Sequence, residues 1–179
     1  MEIQLSDFLI KGIGILILSV ILGGFILGIF YLTRFLIKIK KLNQPEIFKY
    51  YFLMLLCILI MTASWLLNMG WYRIILTWLA FPIIHLVIFV IINGKILLKL
   101  FCSKALKVYT LLSYVSYLLF YLMLPDGGDI GTMYILFSLF HNNTVAYIAG
   151  VLSVTSFFAH IVFTVFQLIE IRRLKHISK

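Results

Sequence analysis

His85 and His160 each stand inside a long apolar run that holds no Asp, Glu, Lys or Arg. An imidazole in such a setting is costly to place, which makes it a candidate for a proton relay, an ion path or a ligand contact. The plainer use is a neutral ring hydrogen-bonded to a neighbouring helix. Around His160, the residues Ser153, Ser156, Thr164 and Gln167 recur at steps of three or four, and Thr110, Tyr114, Tyr117 and Tyr121 do the same in the preceding run. Each set falls on one face of a helix. Such stripes line water-filled paths or supply the hydrogen bonds that hold a bundle together.

The other residues with chemical potential lie between apolar runs. Asp126 and Asp129 sit in the turn-rich string Leu124-Pro125-Asp126-Gly127-Gly128-Asp129-Ile130-Gly131. Two carboxylates could hold a cation or a basic peptide, yet they fall well short of the roughly six to eight oxygens that calcium takes. Cys57 and Cys102 are too few and too far apart for a metal site or a disulfide framework. No nucleophile elbow, metalloprotease helix, CxxC pair or phosphate-binding loop occurs. Neither histidine has a carboxylate or thiol partner within its own run, so a non-enzymatic protein without cofactor or metal is expected.

These residues need elements to position them, and the composition says which. Of 179 residues, 64% are hydrophobic and 12% charged, beyond the usual balance of a soluble domain. About 20 apolar residues carry a helix across roughly 30 Å of hydrocarbon. Five segments approach that length: Gly12 to Thr33, Tyr50 to Leu67, Ile74 to Asn93, Val108 to Leu124 and Val145 to Ile169. The expected fold is therefore an all-α integral membrane bundle of five transmembrane helices in a single domain. Residues 132–140 are too short to span, and an interfacial helix or a re-entrant segment is expected there.

All of the 15 Lys and Arg residues except Lys11 and Arg73 fall in the loops on one side of this arrangement or after the last span. The positive-inside rule then puts the N-terminus outside and the C-terminus in the cytoplasm. Arg34, Lys38, Lys41, Arg172 and Arg173 would meet anionic lipid headgroups or an acidic soluble partner. Cations interleaved with apolar segments are a membrane pattern, so nucleic acid is not expected as a partner. In this frame both histidines lie at one level, about two helical turns, or roughly 12 Å, from the cytoplasmic boundary.

Three further residues bear on packing. Gly24 and Gly28 form a GxxxG pair in the first span, which serves contacts within one subunit or between copies. Pro82, one turn before His85, is expected to kink the third span. Richness in Phe, Ile, Lys, Tyr and Asn suggests a bacterial chain of the cytoplasmic (inner) membrane. A bundle this thin points to a small homo-oligomeric channel or membrane sensor, of the kind found in bacterial defence, including antiviral defence. The alternative is the substrate-binding membrane subunit of a small-molecule uptake transporter, with the tyrosines of the fourth span and the outer loop that follows it around the ligand.

Overall fold

The computed structural model describes residues 45–68, 70–99, 103–127 and 132–177, with residues 30, 33, 34, 36 and 37. The first span is therefore described only at Phe30 and Thr33. Gly24, Gly28, Lys38, Lys41 and Asp129 lie outside the described residues. The chain divides into two units, Met1–Gln44 and Pro45–Lys179. In the first, the described residues are helical, and the Arg34 guanidinium lies 4.7 Å above the centroid of the Phe30 ring four positions earlier.

The second unit is helical in most of its length: α1 (Pro45–Leu67), α2 (Trp71–Trp78), α3 (Phe81–Leu97), α4 (Lys104–Met123) and α5 (Asn143–Ile177). Helices α1, α4 and α5 are each long and apolar enough to cross a membrane, and a fourth crossing is reached if the bent pair α2 and α3 counts as one span. Helix α5 places Ser153, Ser156, His160, Gln167 and Glu170 inside, and leaves Val151, Val154, Phe158, Ile161 and Val165 exposed. Polar side chains inward and apolar ones outward is what lipid, as solvent, selects.

Several boundaries differ from those expected. Helix α1 begins a turn early because Pro45 occupies the first position, where a missing N–H costs nothing, and Glu46 follows in the first turn. Ser103 caps α4, its hydroxyl accepting from Leu106 N–H, so Lys104 and Lys107 belong to the first turn of that helix. Lys95 belongs to the last turn of α3. Asn142 caps α5 by accepting from the N–H groups of Thr144 and Val145.

The apolar run expected as the third span is divided into two helices, where a kink at Pro82 was expected. Ala80 adopts a left-handed conformation at φ 53°, and α2 and α3 meet at 68°. Pro82 then stands in the first turn of a new helix, where its ring is tolerated. It starts α3 instead of bending it.

Residues 132–140 do not form a helix. Tyr134–Ile135 (β1) pairs antiparallel with Phe140–His141 (β2), Tyr134 facing His141 and Ile135 facing Phe140. The connection runs through Leu136, Phe137 and Ser138, all at positive φ. A helix this short cannot pay its nucleation cost alone, whereas the hairpin is tied at both ends. Ile135 packs on Ala146 and Ala149 of α5. The Ser138 hydroxyl donates to the Leu67 carbonyl at 2.8 Å, and its N–H donates to the Asn68 side chain.

Candidate functional site

Helices α3, α4 and α5 converge on the two histidines. Their ring centroids are 5.2 Å apart and nearly perpendicular, with Tyr117 5.0 Å from His85 and 5.3 Å from His160. Phe89 stacks on Tyr117 at 4.0 Å. Tyr121 Oη lies 2.8 Å from His85 Nδ1. His160 Nδ1 lies 3.0 Å from the Ser113 carbonyl oxygen and 3.1 Å from its hydroxyl. Ser113 in turn reaches Thr164 at 3.5 Å.

One turn further along α5, the Gln167 amide donates to Thr110 Oγ1 at 3.0 Å and to Asn93 Oδ1 at 3.4 Å. The next turn brings Glu170, which accepts from the Ser103 hydroxyl at 2.6 Å and from Arg173 at 2.8 Å. At the opposite end, Ser153 donates to the Phe120 carbonyl and Ser64 to that of Tyr121. A polar column thus runs along the bundle interior, built from the stripes of α4 and α5 and from one face of α3. Ser156 is buried on the same face of α5. Tyr114, also buried, turns toward α1 surroundings and leaves its hydroxyl without a partner among the described residues.

Ser113, Asn93, Ser64 and Glu170 join this column without standing out in the sequence. Ser113 falls three residues after Thr110 on the same face, which is the signal that could have found it. Asn93 and Glu170 sit at the ends of apolar runs, where a polar residue reads as a boundary.

The column ends at a buried ion pair. Arg73 and Asp126 are both fully buried and 3.3 Å apart. The Asp126 carboxylate also accepts from the N–H groups of Gly70, Tyr72, Arg73 and Gly127 at 2.9–3.2 Å, so a residue from a distant loop caps α2. Arg73 donates further to the carbonyls of Asn68, Tyr121 and Leu124. Asp126 is therefore engaged by the protein and is not a free carboxylate offered to a cation or a peptide. A Cβ at Gly70 would stand 2.3 Å from Asp126 Oδ1, so only glycine permits this approach.

The basic end carries two smaller clasps. Lys107 pairs with Glu46, joining α4 to α1, and Ser103 with Glu170 joins α4 to α5. The bond from Lys107 holds the Glu46 carboxyl below its ordinary range, and the Ser103 hydroxyl, followed by Arg173, does so for Glu170. Arg172 and Arg173 are exposed beyond them.

Beside the histidines, a cavity of about 420 Å³ opens between α3 and α5. His85, His160 and Thr164 are its polar lining; the rest is apolar, from Phe81 and Phe157 at the walls to Ile84, Ile88, Ile161 and Val165 around it. Among the described residues no three His, Cys, Asp or Glu side chains come together as a metal centre would need. Compared with known proteins, the chain matches no family model, no curated protein and no solved structure.

Proposed function

We propose that this chain is a non-enzymatic membrane sensor of five spans, N-terminus outside and C-terminus in the cytoplasm, working as a homo-oligomer. The observation that carries this reading is the polar column, which runs from the Arg73–Asp126 pair through His85 and His160 to Glu170. Its hydrogen bonds fall into successive groups, Tyr121 with His85, His160 with Ser113 and Thr164, Gln167 with Thr110 and Asn93, and Glu170 with Ser103, the two histidine rings in contact between the first and second. Such groups packed on one another hold three helices in register and can couple a change at one to its neighbours, whereas an ion path needs water-lined space. The basic end, which the charge rule puts in the cytoplasm, suits anionic lipid or an acidic soluble partner. The bacterial and defence assignments rest on composition.

The test combines flux with mobility. In liposomes the protein should pass no ions above empty vesicles, and Tyr121→Phe should change the mobility of a spin label at Arg172→Cys. Unitary conductance steps would replace the sensor by a channel. An unchanged label would remove the coupling on which the sensor rests.

One observation favours a second reading, the substrate-binding subunit of a small-molecule uptake transporter. The cavity beside the histidines has a volume within the range of small-molecule sites, roughly 300–1,000 Å³. A metabolite retained through purification, seen by native mass spectrometry, would support it.

A further inference from the structure

The cavity between α3 and α5 is almost wholly apolar, yet two histidines line it, 9% and 5% exposed for His85 and His160. Each spends its Nδ1 on the protein. Neither Nε2 has a hydrogen-bond partner among the described residues. A polar atom that opens on an apolar cavity is poorly solvated there, so the pair of open nitrogens asks for a ligand.

The partners of Nδ1 decide what each Nε2 offers. A backbone carbonyl only accepts, so His160 Nδ1 carries the proton toward the Ser113 oxygen and its Nε2 is an acceptor. For His85 the arrangement is reversed. The Tyr121 hydroxyl donates to His85 Nδ1, since the opposite assignment would strand the buried phenol proton, and His85 Nε2 therefore carries a hydrogen and donates. The cavity thus presents one donor and one acceptor from rings 5.2 Å apart.

We propose that this cavity binds a neutral, lipid-soluble molecule with a hydroxyl head, such as a phenol or an alcohol. The hydroxyl donates to His160 Nε2 and accepts from His85 Nε2–H, satisfying both. A ketone or an ether accepts only and leaves His160 unmatched. A charged head would be buried against apolar walls with no counter-charge, at large cost. The apolar body lies between Phe81 and Phe157. Ile84, Ile88, Ile161 and Val165 are 42–54% exposed around the cavity, a surface for lipid tails and hence for a ligand that arrives through the bilayer. This deepens the sensor reading by naming what is sensed and rests on it for its consequence, though binding is measured separately.

The test uses 4-hexylphenol and its methyl ether, 4-hexylanisole, with ¹⁵N-histidine-labelled full-length protein in nanodiscs. The ¹⁵N shifts report the tautomer of each ring directly. The phenol is expected to move the His85 and His160 Nε2 resonances saturably, at close to one probe per chain, and the ether to do so at least about tenfold more weakly, the worth of one hydrogen bond to a buried group. His160→Phe and His85→Phe should each weaken binding by a similar factor. Val165→Trp, which fills the cavity, should abolish it while both histidine resonances stay where they are in the unliganded protein, so misfolding is read apart from lost binding. Equal or non-saturating effects of phenol and ether, meaning partition into lipid only, would overturn the proposal, as would undiminished binding to the Val165→Trp protein. Saturable binding that leaves the Arg172→Cys label unmoved would keep this site and sink the sensor.

Discussion

Arg73 and Asp126 show how far a residue's sequence context can mislead. In the sequence Arg73 is a lone cation and Asp126 one of two loop carboxylates; in the fold both Arg73 and Asp126 are fully buried, and between them they satisfy four N–H groups and three carbonyls. Breaking such a pair strands the remaining charge, at about 3–5 kcal/mol, while replacing both members with apolar groups costs far less. Arg73→Met or Asp126→Leu alone is therefore expected to lower the unfolding temperature in detergent sharply. The double variant should recover much of the loss from the charges, short of wild type because α2 also loses its cap. A double variant as damaged as the sum of the singles would show that the two side chains act independently. The pairing was unreadable in the sequence because 53 positions separate the two residues and no local pattern joins them. His85 and His160 were easier to find, since an ionisable group in an apolar run stands out by its cost alone.

At the scale of elements, the break between α2 and α3 was the least foreseeable feature. Ile74 to Asn93 reads as one apolar run, and its only local signal was Pro82. The left-handed turn falls instead on Ala80, a residue that pays roughly 1 kcal/mol for that conformation. Ala80→Gly should therefore be neutral or slightly stabilising and Ala80→Val clearly destabilising, by thermal unfolding. Similar losses for both would mean that no left-handed residue is needed there. What holds the break is tertiary: Asp126 caps α2, and Thr77 ties it to α1 through the Trp65 indole at 3.0 Å.

The clasps among α1, α4 and α5 have a pH signature. Glu46 and Glu170 are both held below the ordinary value of 4.5 in the folded state. Their stabilisation is therefore complete above that value and is lost as the pH falls through the lower folded one. Unfolding temperature should stay level from about pH 7 to about pH 5 on account of these groups and fall below about pH 4.5. The Glu46→Gln, Glu170→Gln double variant should flatten that fall. An unaltered acid limb would exclude these clasps as its source. Since Glu46 is exposed, its share of the effect should also shrink in high salt.

For the whole molecule, the pattern of cations predicts a measurable orientation. A fluorescent protein fused after Lys179 should fold and fluoresce, alkaline phosphatase at the same place should stay inactive, and a cysteine at Asn142 should react with a membrane-impermeant thiol reagent from outside. An active phosphatase fusion would invert the topology. The apolar runs of α1, α4 and α5 and the inward stripes of α4 and α5 were readable from the sequence, because hydrocarbon imposes length and periodicity on each helix separately. The hairpin at 134–141, the break between α2 and α3, the Arg73–Asp126 junction and the donor–acceptor pair lining one cavity were not. Each depends on groups far apart in the chain meeting at hydrogen-bond distance, and only the packing of α3, α4 and α5 against one another brings them there.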